Sequence, residues 1–255
     1  MKNTYLRKVH VFFSSLLILM IHIPFSFAKL KDKAPKRRPV AATHATHASA
    51  ETSVKVRSER SLIYDSLKLN ILGLSQKAFD YAIDGLDKLK RAGKIVNDQV
   101  ISIVDFTKSS AEKRLFVIDL EHQQLLFNTY VAHGQNSGKE FASRFSNSPS
   151  SYQSSLGFYE TTETYNGSNG YSLHLTGLER GVNDKADERA IVMHGAAYVS
   201  EGYKKMKGYM GRSWGCPAVP EKLAKPIIDK IKNGTCLFIY SPNKKYLKRS
   251  KILNS

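Results

Sequence analysis

From residue 100 to residue 240 the chain is cut into short β-type runs by clusters of Gly, Ser and Asn, and this punctuation restricts the fold more than any other feature. Residues 100–106 read as one strand, and 114–120 with 124–132, joined by Glu121-His122-Gln123, read as a hairpin. Residues 158–165, 173–175 and 190–193 continue the set, separated by turn-rich stretches at 134–157 and 166–170, and 236–240 closes it. Before that last strand, Pro220 opens a helix whose Leu223, Ile227, Ile228 and Ile231 share a face, with Gly234 past its end. Pro226 inside this helix argues for a kink or a break. The pattern predicts a mainly β domain with peripheral helices.

Two helices precede the strands. Leu62, Ile63, Leu67 and Leu69 suggest a short one ending near Gly73. Ser75 then caps a second, with Phe79, Ile83, Leu86 and Leu89 on one face and Gly93 after its basic last turn. Further upstream, Lys2, Arg7 and Lys8, the apolar run 11–23 and Ser26-Phe27-Ala28 read as a cleavable export signal, too short for a comfortable membrane span. Residues 29–58, rich in Ala, Thr, Lys and Pro, read as a disordered linker in which His44 and His47 are solvated. The expected organisation is therefore signal 1–28, linker 29–58, helical pair 59–95, core domain 96–241 and basic tail 242–255, with the product in the periplasm or cell envelope.

Charge follows the same division. The chain has 39 Lys+Arg against 22 Asp+Glu, a net +17, of which the signal holds +3, residues 29–60 +6 and residues 241–255 +5. Only +3 remains for residues 61–240, so the excess belongs to flexible ends that keep the protein soluble or touch an anionic envelope polymer. A folded nucleic-acid groove is not supported, and no nucleic acid is expected as a partner. A membrane contact is expected only through an uncleaved signal.

The chemistry concentrates in residues 191–218. His194-Gly195 and Ser213-Trp214-Gly215-Cys216 lie in one stretch, the His and Cys 22 positions apart. A thiol attacks as thiolate and needs a base in reach; an imidazole of ordinary pKa near 6.5 can take and return the proton. Gly195 and Gly215 flank both side chains without Cβ atoms, so backbone N–H groups can come close to a substrate. This is the equipment of an acyl-transfer enzyme. The other cysteine, Cys236, sits in a β-type run where a buried thiol is ordinary, and a bridge between the two would remove the nucleophile. The dispersed His133, His174, His194 and Cys216 lack a compact metal signature, so no metal and no cofactor is expected.

These residues carry a resemblance. Residues from about 100 to 240 are similar to the L,D-transpeptidase (YkuD-type) catalytic domain of peptidoglycan enzymes, in the branch with Gly-Arg-Ser-x-Gly-Cys-Pro-Ala, here residues 211–218. Further matching pieces are Val131–Gly134, Ser155–Gly157, Gly177–Glu179, Asn183-Asp184, Arg189–Gly195 and Lys232–Thr235. The resemblance implies an L,D-transpeptidase-like β-sandwich or barrel in which Cys216 attacks the carbonyl after the third residue of a stem tetrapeptide. D-alanine leaves and a thioester forms. A diamino-acid side chain then gives a 3–3 crosslink, water gives carboxypeptidase trimming, and an envelope-protein lysine is a further acceptor. His194 would shuttle the proton, the Gly195 carbonyl would orient its ring, and the N–H groups of Gly215 and Cys216 are the oxyanion candidates.

The better-known members carry a second His before the Gly-Cys pair and a small polar or basic residue two after the Cys, where this chain has Trp214 and Ala218. Trp214 offers only an N–H donor, and reads as a cleft wall or as packing between elements. Ser213 belongs to the same substrate-binding turn. Arg212 reads as a clamp for a substrate carboxylate or as one half of a surface ion pair. His133 could line the cleft, His174 reads as structural, and His122 as exposed in its turn. Two other readings stand beside the enzyme: a non-catalytic peptidoglycan-binding module, and a cysteine peptidase or amidase, whose usual Cys-before-His order this chain reverses.

Overall fold

The structure, a computed structural model, describes residues 61–255. The expected signal, linker and first residues of the helical pair lie outside the described residues. Among those described, eight strands form one sheet: β1 (Val100–Asp105), β2 (Leu115–Asp119), β3 (Gln124–Thr129), β4 (Gly157–Gly167), β5 (Gly170–Gly177), β6 (Val192–Ala196), β7 (Ala218–Pro220) and β8 (Cys236–Tyr240). Their order is β3-β2-β1-β8-β4-β5-β6-β7. The pairs β1·β8 and β6·β7 are parallel and the rest antiparallel. A bridge between Ala132, just past β3, and Ala218 of β7 joins the two ends of that order, so the sheet nearly closes into a barrel. The protein is mainly β.

The expected hairpin is present, its turn held by the His122 N–H donating to Asp119 Oδ1 at 2.8 Å. Helix α1 (Gln76–Arg91) is capped by Ser75 and buries Phe79, Ile83, Leu86 and Leu89, the face its spacing predicts. The segment before it is helical only over residues 61–66; Tyr64 and Leu69 are buried there, whereas Leu62 is 66% exposed. Helix α2 (Glu201–Lys207) links β6 to β7, and helix α3 (Glu221–Ile231) follows β7 directly.

Two expectations are corrected. The helix is not broken at Pro226: α3 runs through it as one helix, although proline removes a hydrogen bond at a cost of about 3 kcal/mol. Its buried Ala224, Ile227, Ile228 and Ile231 hold it against the sheet, which offsets the loss. The C-terminal residues are not a solvated tail. They form α4 (Lys244–Arg249) and α5 (Lys251–Asn254), pinned from below by the buried carboxylate of Glu179, which accepts from the Tyr246 hydroxyl at 3.0 Å and from Ser250 Oγ. Lys88 of α1 donates to the Ile252 carbonyl at 2.7 Å, tying the last helix to the first. The basic side chains face outward while Tyr246 faces in.

Helix α1 approaches the sheet at Gly85, where an added Cβ would lie 2.0 Å from Cζ of Phe158. That ring stacks on Phe238 with centroids 4.1 Å apart, so it has nowhere to retreat. Helix propensity favours Ala over Gly by about 1 kcal/mol, whereas overpacking costs about 1–3 kcal/mol. Gly85→Ala is therefore expected to destabilise the protein, read as a lower urea midpoint; a raised midpoint would contradict this packing.

Candidate active site

His194 lies inside β6, later in the strand than the expected 190–193 run. It pairs with Ser172 of β5 on one side and Ala218 of β7 on the other. The β6·β7 pair is parallel, with His194↔Ala218, Gly195↔Val219 and Ala196↔Pro220. Continuing this register back by two residues sets Cys216 beside Val192, and the Val192 N–H indeed donates to Cys216 Sγ at 3.5 Å. Val192 and His194 project from the same face of the strand. Cys216 therefore stands on the neighbouring segment, diagonally across from His194.

The turn before Cys216 is held from several sides. The Ser213 N–H donates to the His133 carbonyl at 3.0 Å, and the Gln135 N–H to the Ser213 carbonyl at 2.8 Å. Ser213 Oγ donates to the Cys216 carbonyl at 2.6 Å and accepts from the Gly215 N–H at 3.1 Å. Gly215 has φ +131°, and a Cβ there would meet the Gln153 carbonyl oxygen at 2.9 Å, so the position requires glycine. The bond to Ser213 corrects one expectation: the Gly215 N–H is already engaged and is not an oxyanion donor. The Cys216 N–H remains as the candidate. Arg212 is not half of an ion pair among the described residues; its Nη1 donates to the carbonyls of Gln135 and Gly138 at 3.2 and 3.1 Å, which anchors the half-exposed guanidinium to that loop.

His194 is buried, with Nδ1 2.9 Å from the carbonyl oxygen of Gly195. A carbonyl only accepts, so Nδ1 carries the proton and Nε2 keeps a lone pair. Burial pushes the imidazole pKa down, against the opposing pull of that bond. Burial also pushes the Cys216 thiol up, opposed by the Val192 N–H and by the charge of Arg189. In the resting protein the S–H donates toward the Ala190 carbonyl at 3.7 Å, and no hydrogen bond joins it to His194. Base and nucleophile are both neutral. A neutral thiol and an imidazole with a free Nε2 lone pair can pass a proton from sulfur to nitrogen as sulfur attacks, once the two side chains meet.

The profile of the L,D-transpeptidase catalytic domain family matches residues 71–240. The chain belongs to that family. Among solved structures, it is similar to L,D-transpeptidase 1 of Mycobacterium tuberculosis at 12% identity, covering 57% of this chain and 63% of that one, with a TM-score of 0.31. It is similar to the L,D-transpeptidase (Yku) of Stackebrandtia nassauensis at 12% identity, covering 66% and 68%, with a TM-score of 0.34. A third is the helical cell shape determining protein Pgp2 of Campylobacter jejuni, at 12% identity, covering 63% and 57%, with a TM-score of 0.40. The chain thus spans about three fifths of the length of the Mycobacterium and Campylobacter proteins. No curated protein matches it.

Within this L,D-transpeptidase domain the remaining candidates take other places. His133 does not line a cleft. It is fully buried, with Nδ1 accepting from Arg114 Nη2 at 2.7 Å, and burial beside that cation lowers its pKa to about 3. Arg114, also fully buried, donates to the Val131 carbonyl and so braces the segment whose backbone holds Ser213. His174 stacks on Tyr165 with centroids 4.5 Å apart. Trp214 is 73% exposed, with its ring 5.6 Å from that of Tyr152, so it is not packed between elements. Cys216 and Cys236 are both free, and Cys236 is fully buried. Sequence reasoning placed Arg189 at the start of a matching piece but gave it no role, although it stands five residues before His194. Its Nη2 donates to the Gln153 carbonyl at 2.6 Å, beside the nucleophile turn.

Because burial raises the thiol pKa, the thiolate is scarce at neutral pH and grows as pH rises through a midpoint above the ordinary thiol range. Alkylation of the folded protein followed by peptide mass spectrometry should show that profile at Cys216, with Cys236 unmodified until unfolding. A midpoint near or below neutrality would mean a resting ion pair instead.

Proposed function

We propose that this protein is an exported cysteine acyltransferase acting on peptidoglycan stem tetrapeptides. The observation that carries the reading is the parallel register of β6 and β7, which sets a histidine of fixed tautomer one diagonal from a partly exposed cysteine. The family membership supports peptidoglycan peptides as the substrate class.

The reaction follows from these groups. Sγ of Cys216 bonds to the carbonyl carbon after the third stem residue while its proton passes to Nε2 of His194. The oxyanion forms beside the Cys216 N–H. His194 returns the proton to the nitrogen of the leaving D-alanine as the C–N bond breaks, leaving a thioester on sulfur. An amine or water then attacks the thioester, His194 takes its proton, and the thiol is regenerated. The stem amine, water and a protein lysine are all chemically competent acceptors.

The second reading, a peptidoglycan-binding module without turnover, draws support from the protonated resting sulfur and its hydrogen bonds away from His194. Incubation with disaccharide tetrapeptide separates the two. The wild type should release D-alanine and carry an acyl adduct on Cys216 alone; Cys216→Ala should do neither while keeping its fold. His194→Gln should slow release about 10²–10⁴-fold, the usual share of a general acid–base group. Release by Cys216→Ala at the wild-type rate would overturn the nucleophile, and binding without any adduct would establish the module.

A further inference from the structure

Arg189 is a cation that no carboxylate of the described residues pairs. Its Nη1 donates to the Ser146 carbonyl at 3.0 Å and to Ser155 Oγ; its Nη2 donates to the Gln153 carbonyl at 2.6 Å and to Ser151 Oγ at 3.4 Å. All four acceptors are neutral oxygens, and the residue forms no ion pair with a carboxylate among the described residues. Such a charge, partly withdrawn from water, is costly unless something nearby gains from it. What lies nearby is the nucleophile turn: the Nη2 atom is 3.2 Å from the point where a Cβ on Gly215 would stand.

The same guanidinium shapes the wall opposite. Its four acceptors all belong to residues 146–155, a loop in which Ser150 and Tyr152 both hold positive φ, +54° and +52°. Non-glycine residues keep that conformation only where surrounding bonds impose it. The Asn136 N–H, donating to the Tyr152 carbonyl at 3.0 Å, adds a further restraint. The loop so held presents Tyr152 to Trp214, two residues from the sulfur.

We infer that Arg189 is the electrostatic positioning residue of this site: its unpaired guanidinium is the counter-charge that the Cys216 thiolate meets when the proton leaves. The inference rests on Cys216 being the nucleophile. The titratable and charged groups that act on the sulfur electrostatically are Arg189 and the phenol of Tyr198, and His194 stands one diagonal away on β6. Of these only Arg189 is cationic at rest, since burial lowers the imidazole pKa and raises that of Tyr198 to about 12. Against burial, which opposes ionisation, stand the Val192 N–H and the one fixed positive charge, Arg189.

The test reads the thiol directly. Iodoacetamide is attacked by the thiolate, a sulfur–carbon bond forms and iodide leaves, so the rate at Cys216 against pH reports its ionisation. The proteins compared are the wild type, R189K, R189M and the double variant S151A/S155A, each checked for folding by thermal melting. R189M should move the midpoint up by about one pH unit, a tenfold slower reaction below it, in line with the loss of one nearby opposite charge. R189K should restore the wild-type midpoint. S151A/S155A, which removes loop acceptors but not charge, should also keep it. An unchanged midpoint in R189M overturns the inference, as does an equal shift in S151A/S155A, which would make the role structural. If R189M fails to fold, R189K decides: the wild-type midpoint supports the inference and a shift of a full unit overturns it. D-alanine release by the wild type is measured separately, so a failure of the proposed function is distinguishable from a failure here.

Discussion

The pairing of β6 with β7 governs the site. Strand β7 is three residues long, and alone it has too few ladder bonds to persist. It is held because Ala218 meets strand neighbours on both sides, His194 across the parallel pair and Ala132 across the bridge. Helix α3 then starts where β7 ends and packs back on β6. Gly195 makes that close approach possible: a Cβ there would lie 3.0 Å from Ala224 Cβ and 3.1 Å from Glu221 Cα. One residue thus has two duties, admitting the helix by lacking a side chain and fixing the histidine tautomer through its carbonyl. The fold and the chemistry depend on the same few contacts.

Behind this pair, buried polar groups fix the geometry without touching the reacting atoms. Arg114 and His133 hold the 131–134 backbone, which receives the Ser213 N–H, and Ser213 in turn clamps Gly215 and the Cys216 carbonyl. Such a chain is stable only when each member is satisfied. It explains why Ser213 of the motif faces inward, its hydroxyl engaged with the turn it holds. The resting electrostatics are those of two neutral partners in a partly desolvated groove, so charge develops only during the reaction and meets donors already in place.

Much of the scaffold was legible in the sequence because its signals are local. Ser75 and the spacing of Phe79, Ile83, Leu86 and Leu89 specify α1 within a few turns, and the strands from β1 to β5 and β8 show through their turn residues. Helix α2 had readable signals that went unused: Ser200 as cap, Glu201 in the first turn, lysines in the last, and Gly208 left-handed at the end. Strand β7 had none, since three residues carry no period. Non-local contacts misled the reading elsewhere. The C-terminal segment looks like a solvated basic tail until Tyr246 and Ser250 find Glu179, some seventy residues earlier in the chain. At the site, residue types announced His194, Gly195 and Cys216 as candidates. Which N–H or guanidinium was already engaged depended on the turn geometry, which no spacing rule contains.

The central claim is that His194 is a neutral base of one tautomer, poised for the proton of a neutral thiol. Nitrogen-15 NMR of histidine-labelled protein across pH tests it most directly. The account predicts that near neutrality His194 carries hydrogen on Nδ1 and none on Nε2, with a titration shifted below the ordinary histidine range and unchanged in Cys216→Ala. An imidazolium at neutral pH whose charge disappears in Cys216→Ala would show a resting thiolate–imidazolium pair and contradict it.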